Sequence, residues 1–157
     1  MSIKYIILHW CGTQVHAVTD KILKSYQLVI NQYGKEYIGA KQGTTASTAG
    51  MNSITYNIST TGGDTKAPLT KVQCEKLFAV TAQMCKKLNL TPDKVYTHHE
   101  IGEMCRNGSI TKLLPNNKWL HNNIGKIDLT RLPYDLDGKA TGQLIRNKVL
   151  WYYYNNK

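Results

Sequence analysis

The stretch VYTHHEIG (95–102) sets two imidazoles beside a carboxylate, and the apolar run KYIILHW (4–10) carries a third imidazole at His9. Histidine is the commonest metal ligand and the side chain whose charge changes near neutral pH. Two histidines delivered from strand ends and joined by one carboxylate or thiolate make a three-ligand zinc site, with a position left open for hydrolytic chemistry. Neighbouring side chains on an extended chain point to opposite faces, so at most one of His98 and His99 joins a given cluster. The third ligand is open among Asp128, Cys105, Glu100, Asp135 and Asp137, which fall on irregular segments able to cover strand ends. A lone histidine at a buried strand end is more often a hydrogen-bonded structural residue than a ligand. Two of them on separate strands bring the metal reading level with the structural one, and spacing alone goes no further.

The elements that must position these groups are legible in the apolar pattern. KYIILHW reads as a buried strand. CGTQVHAVTDKILK is a loop with room for one short helix, YQLVIN is a second strand, and NQYGKEYIG turns at Gly34 into a hairpin partner. KQGTTASTAGMN is an irregular loop. SITYNIST alternates Ile54, Tyr56 and Ile58 with polar neighbours and predicts another strand, stopped by Gly62-Gly63. Apolar residues from Leu69 to Leu88, Val72 among them, recur at helical spacing after a possible cap at Thr70. Pro92 precedes a short strand KVYTHH, residues 101–138 lack strong periodicity, and Leu144 to Tyr153 space out as a closing helix. The prediction is an α/β domain: a single mixed central β-sheet flanked by helices.

At 157 residues the chain is long enough for one domain with a real core. Its formal charge of +10, scattered along the sequence, suits a polyanionic partner: nucleic acid, an anionic membrane face or an acidic cell wall. No helix-turn-helix signal, basic helix or basic strand with interleaved aromatics supports the first. No apolar run is long enough to cross a bilayer, and YIILHW is too short for a signal-peptide core, so the expectation is an unprocessed protein without a signal peptide. The four cysteines form no CxxC pair, which predicts free thiols. A cysteine hydrolase using Cys11 or Cys105 with a histidine is a competing chemistry.

Five segments then carry a resemblance: HWCGT (9–13), SYQLVINQYGK (25–35), NSITYNISTTGG (52–63), THHE (97–100) and GKID (125–128). Their types and order resemble the type 2 N-acetylmuramoyl-L-alanine amidases, which include small phage lysozyme-like amidases and share a fold with peptidoglycan recognition proteins. The similarity runs from Ile3 to Pro133. It implies Zn2+ as cofactor, held by His9, His98 and Asp128, with Lys126 and Tyr26 as catalytic groups. It also implies hydrolysis of the amide between the lactyl group of N-acetylmuramic acid and L-alanine, with bacterial peptidoglycan as partner. The chain departs from the family where Asp-Pro or Cys-Pro becomes Asp128-Leu129 and where Tyr-His becomes Tyr26-Gln27, and Cys105 stays open as third ligand.

The same resemblance implies one catalytic domain over residues 1–157 with no separate wall-binding domain. It implies a monomeric phage endolysin that waits in the host cytoplasm and acts on the cell wall, with neither nucleic-acid binding nor stable membrane insertion. The loop Gly43–Asn52 would line the substrate groove. Glu100 is read as a solvated helix-start carboxylate, with a partner of a ligand imidazole as the alternative, and His99 as facing away. His16 and His121 receive no role, and WYYYNN (151–156) is read as finishing the last helix and packing on the domain. The rival of the same fold is a non-catalytic peptidoglycan-binding module.

Overall fold

The computed structural model describes residues 2–114 and 119–155. The apolar run before the first histidine forms β1 (Tyr5–Trp10), and all six residues are buried. Parallel strands flank it: β4 (Thr55–Thr60) pairs along its whole length, and β5 (Val95–Thr97) pairs with Ile6–Leu8. Beyond β4 lies β2 (Leu28–Ile30), also parallel, and β3 (Glu36–Ile38) closes the sheet antiparallel to β2. The order is β3-β2-β4-β1-β5, one mixed five-stranded sheet. Gly34 sits at φ 82° in the β2–β3 turn, a conformation costly for a residue with a Cβ.

Strand alternation gives the sheet two different faces. Ile6, Leu8, Leu28, Ile30 and Ile58 point into the larger core, where they meet Leu77, Phe78, Ile145 and Val149. Those partners come from α2 (Lys71–Lys87) and α4 (Thr141–Asn155). Thr70 and Gln73 form a reciprocal capping box at the start of α2, so the cap expected at Thr70 is present. Tyr5 and Ile7 point the other way, into a smaller cluster with Met51, Ile54, Ile101, Ile110 and Leu120. That cluster lies beneath α3 (His98–Asn107) and the 3-10 turns Ser109–Lys112 and Leu120–Asn123. A short α1 (Asp20–Leu23), capped by Thr19, precedes β2.

Several expectations change. The strand expected over KVYTHH ends at Thr97, and His98 and His99 open α3. Thr97 and Glu100 bond reciprocally, side chain to backbone N–H, and this capping box starts a helix that runs to residue 107, into the segment whose sequence lacks periodicity. The two histidines are therefore successive helical residues and do not alternate across a strand. The second strand is shorter than YQLVIN, and Ile54 belongs to a 3-10 turn, Asn52–Ile54, ahead of β4. Leu69 precedes α2, and Val72 is exposed on it. In the C-terminal run, Tyr152 and Tyr153 pack on the core while Trp151 and Tyr154 face solvent; Asn156 lies outside the described residues, as do residues 115–118.

Candidate metal centre

His9 shares the face of β1 that carries Tyr5 and Ile7, close to the carboxyl end of the central parallel strands, where α/β sheets place their ligands. Because β5 stops opposite Leu8, the Trp10 N–H has no strand partner on that side; the Asp128 carboxylate accepts it. His98 enters from the first residue of α3, and Ile101 and Gly102 of that helix are buried. A Cβ on Gly102 would collide with the Asn123 carbonyl, so this helical glycine lets the 120–123 turn lie against α3. Asp128 comes from the irregular segment after that turn. Its neighbour Leu129 is fully buried in the larger core and holds a left-handed backbone at φ 63°. Burial of the leucine offsets a conformation that costs roughly 1–3 kcal/mol for such a residue.

These three elements bring one ligand atom each from His9, His98 and Asp128 within 4.8 Å of one another. His9 Nδ1 lies 3.4 Å from Asp128 Oδ2, His98 Nδ1 lies 3.8 Å from Asp128 Oδ1, and the imidazole centroids are 4.8 Å apart. All three residues are buried, at 1%, 6% and 7% exposure, so their polar atoms must find partners.

The outward nitrogens find them in two asparagines that the sequence reading missed. His9 Nε2 lies 2.8 Å from Asn57 Oδ1, and His98 Nε2 lies 2.8 Å from Asn123 Oδ1. The orientation of each amide is fixed by its other bonds. Asn57 Nδ2 donates to Gln27 Oε1 and Thr55 Oγ1, and Asn123 Nδ2 donates to the carbonyls of Ala49 and Leu120. Each Oδ1 is therefore an acceptor, each Nε2 must donate, and each Nδ1 is left to face the cluster. Gln27 also accepts the Asn57 backbone N–H at 2.7 Å, which gives the Tyr26-Gln27 departure a structural use. The Gly- and Thr-rich loop joins in: Thr48 Oγ1 donates to Asn57 Oδ1, and Ala49 N–H donates to Asn123 Oδ1.

Burial and the neighbouring His9 push His98 down to about 4, so its imidazole is neutral at pH 7, the form a metal requires. For Asp128 burial pulls upward, but interactions with His9 and His98 and the Trp10 N–H outweigh it and hold the carboxyl below its ordinary range. Tyr26 stacks at a tilt 5.0 Å from the His9 ring. Burial above all, with Cys11 and Asp128 nearby, raises its phenol far enough to keep the hydroxyl proton at any ordinary pH. Lys126 is exposed and enters no ion pair among the described residues; its charge contributes to keeping His98 neutral.

The remaining candidates lie elsewhere. Cys105 packs against the smaller apolar cluster, and Asp135 and Asp137 are exposed in the loop before α4. Glu100 neither bonds a ligand imidazole nor stays solvated: it caps α3 and forms a two-pronged ion pair with Arg146 at 2.7 and 2.8 Å. His99 donates to the Lys126 carbonyl, His16 bridges Thr61 and the Pro68 carbonyl, and His121 is exposed. Burial raises the Cys11 thiol, which sits 3.6 Å from Ser59 Oγ, and this opposes a thiolate nucleophile there.

Two imidazole nitrogens and one carboxylate oxygen, converging with the outward nitrogens of both rings tied down, fit zinc held by three protein ligands. Nitrogen donors of this kind do not suit calcium or magnesium. The sequence model of the N-acetylmuramoyl-L-alanine amidase family matches residues 1–117. The chain belongs to this family. That match takes in His9 and His98 and stops short of Asn123, Lys126, Asp128 and α4. No curated protein matches the chain.

Solved structures share the fold, two of them across more than nine-tenths of the chain. The hydrolase AmiA of Staphylococcus aureus, in complex with its ligand, aligns with 97% of this chain and 73% of its own, at TM-score 0.61 and 10% identity. The N-acetylmuramoyl-L-alanine amidase LysC of Clostridium intestinale aligns over 63% and 72%, at TM-score 0.54 and 18% identity. Human PGRP-IBETAC, in complex with glycosamyl muramyl pentapeptide, aligns over 92% and 82%, at TM-score 0.52 and 16% identity.

Proposed function

We propose that this chain is a zinc-dependent N-acetylmuramoyl-L-alanine amidase that hydrolyses the lactyl amide between N-acetylmuramic acid and L-alanine of bacterial peptidoglycan. The observation that carries the reading is the convergence of His9, His98 and Asp128 with both outward nitrogens held by buried amides. Family membership supplies the bond class. Zinc, when bound by these three side chains, supplies Lewis acidity and a nucleophilic water at neutral pH.

The protein's own groups do the rest. Asn57 and Asn123 fix both imidazoles in the tautomer that presents Nδ1, so no reorganisation is needed at the moment of reaction. Lys126 offers its exposed ammonium to the oxyanion that develops on the scissile carbonyl, where a placed cation acts most strongly. Tyr26, its hydroxyl held protonated beside His9, serves as a hydrogen-bond donor orienting the attacking water or the leaving amine. Digestion of purified walls with zinc-loaded protein should release new amino-terminal alanine. No release under those conditions would reject the hydrolase in favour of a binder, the reading that human PGRP-IBETAC, with its bound muramyl pentapeptide, keeps in view.

We further infer, from the resemblance to small phage amidases, a monomeric single-domain endolysin that stays in the host cytoplasm until the membrane is breached. No helix among the described residues is long and apolar enough to cross a membrane. Expression in a bacterial host should leave cells intact until the membrane is permeabilised, and lysis without permeabilisation would contradict this. Sedimentation should give the mass of one chain.

A further inference from the structure

On the α2–α4 side of the sheet, away from the face that carries His9, a cavity of about 480 Å³ opens between α4, α2 and the loop before α4. Its size falls within the range of small-molecule sites, roughly 300–1,000 Å³. Trp151 lines it and is 59% exposed, unusual for the largest apolar side chain on a helix that has a core to pack against. The indole is buttressed edge-to-face by Tyr152 at 5.0 Å. Tyr152 is fixed in turn by its hydroxyl, which donates to Glu75 Oε1 at 2.5 Å; Tyr134 and Lys148 donate to the other Glu75 oxygen. The wall beneath the indole is thus held rigid before any ligand arrives.

The rim is polar. Asn147 uses its Oδ1 to accept from Gln143, which leaves its amide N–H groups free to donate to a ligand, and Asp135 and Lys139 also line the cavity. Three carboxylates (Glu75, Asp135, Asp137) stand against two ammonium groups (Lys139, Lys148) on a protein of charge +10. A polyanion finds no attraction there, and a wholly apolar ligand would strip water from the rim without replacing its hydrogen bonds. A suitable ligand has a flat apolar face for the indole and a ring of neutral hydrogen-bonding groups around it. A pyranose sugar has that shape: axial C–H bonds on one face, hydroxyl and acetamido groups at the edge.

We propose that this cavity is a second carbohydrate site, which takes a neutral segment of the glycan strand and holds the protein on its polymer independently of the metal centre. The choice of polymer rests on the amidase reading; the site itself does not. The test uses the peptide-free β-1,4-linked tetramer of N-acetylglucosamine, titrated into the full chain and followed by amide and indole NMR shifts. Shifts should appear at the Trp151 indole, Asn147 and Asp135. Affinity should fall ten-fold or more in Trp151→Ala and measurably in Asn147→Ala, both at exposed positions where circular dichroism should show an unchanged fold. Asp128→Ala should bind the tetramer as the wild type does while failing to hydrolyse walls, which separates this proposal from the amidase reading. No binding, shifts confined to residues around His9 and His98, unchanged affinity in Trp151→Ala, or loss of binding in Asp128→Ala would each overturn it.

Discussion

His9 and Asp128 face each other across 3.4 Å, yet the chain holds them by opposite means. His9 stands on a fully buried strand paired on both sides, and its outward nitrogen rests on Asn57 of the adjoining strand. Asp128 stands in irregular backbone, anchored by the Trp10 N–H, by its two imidazole neighbours and by a buried leucine in a left-handed conformation. His98 is intermediate: a helix start, but one tied through Asn123 to two loops. Paired strands carry both His9 and the Asn57 that orients it, whereas His98 and Asp128 depend more on loop contacts that a single substitution can remove. The loop side should therefore be where the centre is most easily broken.

Leu129→Pro should have the largest effect. Proline is locked near φ −65° and cannot adopt the φ of 63° found there. Asp128 should be displaced, with zinc affinity down at least about 100-fold, a change consistent with the roughly 3 kcal/mol or more that a misplaced proline costs. Wild-type affinity by competition with a chelator would show that the loop side is not strained as described.

The two asparagines give a matched pair. Asn57→Ala and Asn123→Ala should each lower zinc affinity by about 10–100-fold. They should differ in stability. Removing the Asn123 amide strands the Ala49 carbonyl and the Ala49 N–H, a loss of about 2–3 kcal/mol in denaturant unfolding. Asn57→Ala leaves the backbone bond to Gln27 in place and should cost less. Equal stability losses would erase the distinction between the strand-held and loop-held sides of the cluster.

Smaller still is Arg146→Ala, which removes the two-pronged contact to Glu100 at the start of α3. It should cost about 1–3 kcal/mol of stability and change zinc affinity less than ten-fold, because the capping box still begins the helix at His98. Arg146→Lys should rescue only partly, since an ammonium cannot reproduce the fork.

The smallest effect lies furthest from the centre. Burial tends to raise Glu75, but hydrogen bonds from Tyr134, Tyr152 and Lys148 together outweigh it and lower its pKa below the ordinary 4.5. The sign follows: its contribution is present above 4.5 and is lost as the pH falls through the lowered value. Glu75→Gln should flatten this acid limb of the melting temperature, and an unchanged limb would remove Glu75 as its source.

What the sequence showed and what it hid divide along the same line. β1 is a continuous apolar run and α2 and α4 repeat apolar residues at helical spacing, so the strand behind His9 and the helical layer were readable in the sequence. The start of α3 was readable in principle: Thr97-His98-His99-Glu100 is a capping-box pattern, but the apolar run before it drew the strand two residues too far. Asn57 and Asn123 carried no signal, because a buried amide that orients an imidazole has no local spacing; the β4 register and the approach at Gly102 place them. Glu100 and Arg146 meet across 46 residues, a pairing that sequence proximity does not suggest.

Metal content bears on the central claim most directly. After zinc reconstitution and dialysis, elemental analysis of the wild type beside His98→Ala and Asp128→Ala should give about one zinc per chain in the first and almost none in the other two. A wild type that retains no zinc, or variants that keep it in full, would contradict a centre built from His9, His98 and Asp128.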